Sequence, residues 1–179
     1  AIRRAGAVRV FTVSQWFATA QTLASGIRVD GSRLAILTNG GGPGVMAADR
    51  AADVHVPLAD LSPASMEQLT AALPTHWSHA NPVDILGDAS AERYSLATQI
   101  LLADNNVDGI LVLLSPQGMT DPLACAEAVI EAAGSSRKPI LTCWLGEKRV
   151  LGARQRLMIA GIPSFTNPEA GVDAFGSLA

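Results

Sequence analysis

Cysteine is scarce in this chain of 179 residues: only Cys125 and Cys143 occur, and they do not form a Cys-x-x-Cys pair. That excludes a disulfide-stapled secreted scaffold and predicts two buried thiols in a reducing, cytoplasmic compartment. Aromatic residues are few, at 4%, while 49% of the chain is hydrophobic. The core must therefore be built from Ala, Val, Leu and Ile, which favours helices packed on a sheet over a β-sandwich. Long apolar runs are missing too. The stretch 109–114 (Gly-Ile-Leu-Val-Leu-Leu) is far too short to cross a bilayer, and no signal peptide is visible. Charge of one sign is not in excess, since the net charge is −3 and the pI is near 5.5. This excludes a broad electrostatic footprint for nucleic acid or an anionic membrane, so any anionic ligand must be gripped locally. The arginines are scattered; Arg3-Arg4 and Arg154-x-Arg156 come nearest to clusters and read as solvated faces.

What is present is a regular alternation. Residues 1–30 read as a linker and helical arm, with Ser14 capping a helix that runs to Ala24. Trp16, Phe17, Ala20 and Leu23 fall at helical spacing, and the helix is expected to pack on the domain beyond it. The opening Ala-Ile-Arg-Arg lacks a methionine and reads as part of a longer polypeptide. Over 31–179 the spacing predicts strands at 34–38, 54–58, 109–114, 139–144 and 162–165. Helices are expected at 43–52, 63–73, 91–103, 121–133, 148–160 and 168–178, with a turn-rich passage at 74–90. Ser62-Pro63, Pro122 and Pro168 mark helix starts, and Gly134 and Gly161 mark helix ends. Ile/Leu/Val strands separated by helices imply an α/β fold with a parallel sheet covered on both faces. Five strands fit a flavodoxin-like three-layer sandwich of order 2-1-3-4-5.

In such a sheet ligands bind outside the carboxyl ends of the strands, where the connection direction reverses. Asn39, Gly40, Gly41, Gly42, Pro43 and Gly44 follow the first strand, and Ser115, Pro116 and Gln117 follow the third. An apolar strand running through glycines into a helix is a candidate anion site, because free amides and the positive pole of the helix converge there. Pro43 has no N–H, which leaves Gly42, Gly44 and Val45 as the expected donors. The spacing is not a P-loop, since no Lys-Ser/Thr follows the glycines, and it lacks the third in-register glycine of a dinucleotide fingerprint.

Other polar residues read more simply. His76-x-x-His79 lacks a carboxylate or cysteine at metal-ligand spacing and is expected in a surface turn. His55 is expected at a sheet edge. Asp88 or Ser90 is expected to cap the following helix, Asp84 is open between turn chemistry and a site role, and Glu147 is expected in the first turn of its helix. Cys143, near the crevice rim without a basic neighbour, is expected to be inert. Neither a catalytic side chain nor a metal site is assigned.

Several motifs occur together in one order: Leu-Thr-Asn-Gly-Gly-Gly-Pro-Gly (37–44), Asn-Pro-Val-Asp-Ile-Leu-Gly-Asp-Ala (81–89) with Arg93-Tyr94, and Val-Asp-Gly-Ile-Leu-Val-Leu-Leu-Ser-Pro-Gln (107–117) with Thr120. Lys138-Pro139 and Gly161-Ile-Pro-Ser-Phe with Pro168-Glu169 complete the series, and Gly-Ala-Val-Arg-Val (6–10) resembles the exit from a preceding domain. Together they resemble the carboxyl-terminal domain of the alpha portion of ADP-forming acyl-CoA synthetases, relatives of succinyl-CoA synthetase. The same domain set occurs in acetyltransferase-fused protein-lysine acetyltransferases, where a regulatory role is the alternative. The resemblance implies a parent that interconverts a small carboxylic acid, CoA and ATP with acyl-CoA, ADP and phosphate through an acyl phosphate and a phosphohistidine. It implies that Asn39, Gly40, Gly41, Gly42 and Gly44 face the phosphate while Ser115, Pro116 and Gln117 line the acyl side. CoA, ATP/ADP and Mg2+ would be used by the parent and not held by this domain alone. The implied partners are the CoA-binding, phosphohistidine and ATP-grasp domains or subunits. The Ser-His-Thr-Gly-Ala-like segment that carries the family's phosphorylated histidine does not occur in these residues, so the chain alone is expected to be inactive.

Overall fold

The computed structural model describes residues 8–10, 12–134 and 136–179. Residues 1–7, which include Arg3-Arg4 and the start of the expected linker, lie outside the described residues. The elements in chain order are α1 (Val13–Ala24), β1 (Leu34–Thr38), α2 (Gly41–Asp53), α3 (Pro63–Ala72), β2 (Val83–Asp84), α4 (Ala91–Ala103), β3 (Gly109–Leu114), α5 (Pro122–Ala133), β4 (Ile140–Trp144), α6 (Leu151–Ile159), β5 (Ser164–Phe165) and α7 (Pro168–Leu178). The strands form one parallel sheet in the order β2-β1-β3-β4-β5.

Strand periodicity divides the core into two layers. Ala35, Leu37, Ile110, Val112, Leu114 and Trp144 face α3 to α6. Leu34, Ile36, Leu111, Leu113, Leu141 and Cys143 face α2 and α7. The proline-opened helices start close to where the sequence suggests, and the structure adds side-chain caps: Ser62 accepts from the Ser65 N–H, Asp121 from Leu123 and Ala124, and Asn167 from Ala170.

The second strand is not where its apolar pattern places it. The helix before it continues to Asp53, Val54 is its C-cap, and His55 turns away with φ 59°. Only Leu58 of the expected 54–58 strand reaches the sheet, as a single bridge to Leu34. The edge of β1 is instead shared by two segments. The Leu34 N–H donates to the Pro57 carbonyl at 2.9 Å, and Leu37 and Thr38 register with Val83 and Asp84. Asn81 splices the gap between them. Its Oδ1 accepts the Ile36 N–H at 2.9 Å, and its Nδ2 donates to the carbonyls of Leu34 at 2.9 Å and Ala59 at 3.0 Å. A side-chain amide thus stands in for a missing strand peptide, so β1 keeps its bonds where the neighbouring backbone departs. The strand order survives with a different second member.

The helical arm also departs from expectation. Thr12, not Ser14, is the N-cap of α1 and accepts the Gln15 N–H at 3.1 Å. The face turned to α7 carries Gln15, Ala18, Thr19 and Thr22, and Gln15 Nε2 donates to Asp173 Oδ2 at 3.1 Å. Thr19 Oγ1 lies 3.1 Å from Ser177 Oγ. Trp16, Phe17 and Leu23 point outward and do not pack on the domain.

Candidate functional site

The loops after β2, β1, β3 and β4 meet at the carboxyl edge of the sheet. Asn39, which directly follows β1, is 1% exposed and brackets Ser115. Its Nδ2 donates to the Ser115 carbonyl at 2.9 Å, while its Oδ1 accepts the Ser115 N–H at 2.7 Å. The two loops singled out from sequence are therefore joined, and Asn39 joins them from beneath, away from any arriving ligand. A Cβ added to Gly40 would lie 3.5 Å from Ser115 Oγ.

Thr38 organises the start of α2. Its hydroxyl accepts the Gly40 N–H at 3.1 Å and donates to the Gly40 carbonyl at 2.8 Å. The Gly44 N–H reaches the Gly40 carbonyl at 3.4 Å, the first rung of the helical ladder, with Val45 following it in the helix. The helix begins at Gly41, two residues before its expected start, and this moves the unclaimed donors. They are the amides of Gly41 and Gly42, both exposed, which helical geometry leaves without an intrahelical acceptor. Gly44 is buried and serves packing: a Cβ there would approach Thr38 Cγ2 to 3.0 Å and Pro82 Cβ to 3.5 Å. Val45, by contrast, exposes its side chain on the rim.

The turn does not need its glycines for conformational freedom. Gly40 has φ −160° and ψ 129°, and none of Gly40, Gly41 and Gly42 has a positive φ. A Cβ on Gly42 would meet nothing within 4 Å, and one on Gly41 would meet only Asp84 Oδ2, at 3.6 Å. What these glycines leave is bare backbone, the feature expected where a ligand must approach main-chain amides closely.

The displaced second strand brings further residues to the rim, beyond those expected there from sequence. Asp84 sits beside Gly41, and its Oδ1 accepts the Leu86 N–H at 2.9 Å. Leu86 has φ 70°, a strained value for a branched side chain that this bond helps to hold. Gly87 lies against Gln117, whose Cγ would be 3.6 Å from an added Cβ. Arg93 Nη1 donates to the Ile85 carbonyl at 2.8 Å and to Asp88 Oδ1 at 2.7 Å, and Ser90 caps α4. Asp88 therefore pairs with Arg93, which lowers its pKa. On the other side, Gln117 is held by Thr120, whose Oγ1 accepts the Gln117 N–H at 3.1 Å, and Arg149 Nη2 donates to the Gln117 carbonyl at 3.1 Å. Pro116 packs toward Gly146. Glu147 is exposed and lies before α6, outside its first turn. The signal that points to Asp84 and Leu86 is the Asn-Pro-Val-Asp motif itself, once it is taken as the edge strand.

The remaining candidates stay apart. His79 ring Nε2 lies 3.0 Å from the Thr75 carbonyl in an exposed turn, and His55 is at the far end of α2. Among the described residues no group of three His, Cys, Asp or Glu side chains is placed to hold a metal. Burial raises the Cys143 thiol to about 12 and the Cys125 thiol to about 11, so both are poor nucleophiles at neutral pH.

A five-stranded doubly wound parallel sheet with a glycine turn at its switch point defines a flavodoxin-like α/β module. Residues 34–177 match the Ligase-CoA domain, and the chain belongs to that family. It is 41% identical over 178 residues to acetate–CoA ligase [ADP-forming] I of Archaeoglobus fulgidus, covering 99% of this chain and 25% of that protein. It is 32% identical over 183 residues to the alpha subunit of acetate–CoA ligase [ADP-forming] I of Pyrococcus furiosus, covering 99% and 39%. A solved apo structure of dinucleotide-forming acetyl-coenzyme A synthetase 1 from Ca. Korarchaeum cryptofilum superposes with a TM-score of 0.89 at 30% identity, over 99% of this chain and 39% of that one. The chain thus spans between a quarter and two-fifths of these relatives, and it is a domain of the ADP-forming acyl-CoA synthetase kind. The acetyltransferase-fused alternative finds no support among them.

Proposed function

We propose that this chain is the glycine-turn module of an ADP-forming acyl-CoA synthetase, acting on a small carboxylic acid such as acetate. In this reading the amides of Gly41 and Gly42 donate to the oxygens of a phosphohistidine or acyl phosphate presented by a neighbouring domain, and the positive pole of α2 adds to the attraction. Ser115, Pro116 and Gln117, held at the adjoining rim by Asn39, Thr120 and Arg149, shape the acyl side. The chain contributes no nucleophile. It receives charge in transit and fixes its position. CoA, ATP or ADP and Mg2+ are handled by the CoA-binding and ATP-grasp portions, in the cytoplasm. The relative from Ca. Korarchaeum cryptofilum has also been solved in complex with phosphate and ADP, which supports phosphate chemistry in this group.

The observation that carries the reading is the pair of exposed amides at a glycine run whose backbone does not require glycine. The test is an inorganic phosphate titration followed by amide chemical shifts. Gly41 and Gly42 are expected to move most, with Ser115 following. Gly41→Pro deletes one donor at the first helical position, where proline is well tolerated after an extended residue such as Gly40. This variant is expected to keep its thermal stability and lose most of the phosphate response. Unmoved Gly41 and Gly42 amides at saturating phosphate would sink the proposal.

A further inference from the structure

Asn39 is the one asparagine of this chain that precedes glycine. Of the other four, Asn81 and Asn167 precede prolines, which carry no N–H, while Asn105 and Asn106 precede Asn106 and Val107, whose side chains crowd the backbone. Asparagine before glycine is the pair most prone to modify itself, because no side chain on the glycine obstructs attack of its main-chain nitrogen on the preceding carboxamide. The fold opposes that attack at three points. The attacking nitrogen is occupied, since the Gly40 N–H donates to Thr38 Oγ1 at 3.1 Å. The carboxamide is pinned on both sides, with Nδ2 donating to the Ser115 carbonyl at 2.9 Å and Oδ1 accepting the Ser115 N–H at 2.7 Å. Thr38 is fully buried and Asn39 nearly so, which keeps away the water that must take the amide proton and complete the hydrolysis.

We propose that Asn39-Gly40 is a latent deamidation site, held unreactive by the Thr38 hydroxyl and the Ser115 backbone and converted only from the opened turn, so that it marks covalently the molecules in which the crevice has come apart. In the opened turn the Gly40 nitrogen gives up its proton and bonds to Asn39 Cγ. The Cγ–Nδ2 bond breaks, ammonia leaves, and a cyclic imide closes. Water then adds to either imide carbonyl and breaks that carbon's bond to the Gly40 nitrogen. Cleavage at Cγ leaves an ordinary aspartyl residue, whereas cleavage at the main-chain carbonyl carbon leaves an isoaspartyl residue, with the chain rerouted through Cβ and Cγ. Water is the sole reagent consumed, and nothing is oxidised or reduced. Neither product restores the turn. Both lose the Nδ2 donor to the Ser115 carbonyl and place a carboxylate where the closed turn excludes solvent, and the isoaspartyl product adds a carbon to the chain directly before α2. The proposal stands or falls apart from the phosphate reading, since its readout is a covalent change in the chain by itself.

Peptide mapping by mass spectrometry of the whole chain, aged at mildly alkaline pH, tests it, with exchange of the Gly40 amide followed on the same samples. The folded chain is expected to convert at least about 100-fold more slowly than the same chain in urea. Thr38→Val removes the hydroxyl at similar size and should raise both Gly40 exchange and conversion at least about 10-fold. Thr38→Ser keeps the hydroxyl and should hold conversion near the wild-type rate. Gly40→Ala, whose Cβ would meet Ser115 Oγ at an ordinary 3.5 Å, should slow conversion in urea, as expected if the Gly40 nitrogen is the attacking atom. Should Thr38→Val fail to fold, wild type in urea below its midpoint takes its place, and conversion should climb in step with Gly40 exchange. Equal conversion in the folded and the urea-unfolded chain would overturn the proposal. So would faster Gly40 exchange without faster conversion, or modification in urea that falls on Asn105 or Asn106 in place of Asn39.

Discussion

Asn39 shows how one residue type can be placed correctly and still act differently from expectation. Its position after an apolar strand and before glycines marks it as part of the crevice, and its burial turns it from a ligand-facing group into a bracket. Asn39→Ala strands the N–H and carbonyl of Ser115 and is expected to cost about 2–3 kcal/mol, read from the urea midpoint. It should also speed hydrogen exchange at Ser115. Asn39→Asp keeps the acceptor but sets a carboxylate oxygen against the Ser115 carbonyl, so it should be no milder. The identity of the free donors was not legible at this scale. It depends on whether the helix starts at Gly41 or Pro43, a difference of two residues that glycine and proline preferences do not resolve.

At the scale of elements, four strands and most helix boundaries were legible because each combines an apolar run with a proline start, a glycine end or a polar cap. The edge strand was not. Val54–Leu58 has a strand's composition, but its first residues are consumed in closing α2, whereas Val83–Asp84 is too short to show a period. No periodicity argument could have found Asn81 as the splice between them. Asn81→Ala removes two hydrogen bonds from the edge of β1 and a third to the Ala59 carbonyl and is expected to destabilise by about 3 kcal/mol, with a lowered urea midpoint and an unchanged slope. A loss under about 0.5 kcal/mol would show that water replaces the amide there. The direction faced by α1 was equally hidden, since spacing gives a stripe and not the side it turns to.

For the whole molecule, the amino ends of the strands are fastened by acid groups. Asp108, just before β3, accepts from the N–H groups of Ser32 and Arg33 and from the Arg33 guanidinium. The guanidinium holds its pKa down to about 2, against the opposing effect of burial. Asp104 is desolvated, yet hydrogen bonds from the Asn106 and Ser62 N–H groups keep its pKa low too. A carboxyl whose folded pKa is depressed adds stability that is present above its unfolded pKa and fades as pH falls toward the folded value. Acid should therefore weaken the fold between about pH 4 and pH 2. Asp108→Asn is expected to cost about 1–2 kcal/mol at pH 7, allowing for solvent around Arg33, with the gap to the wild type closing across that acid window. A gap that persists at pH 2 would locate the effect in packing.

Main-chain donors have a consequence for how such a domain can diversify. An N–H carried by the backbone survives every side-chain exchange except to proline, so drift around Gly41 and Gly42 can alter access without removing either donor. Ser115, Pro116 and Gln117 stand next to them on a separate loop, which Asn39 ties to the glycine turn through the backbone of Ser115 and not through its side chain. In the proposed reading, relatives are then free to retune which acid they admit by changing that loop, while the main-chain donors stay in place.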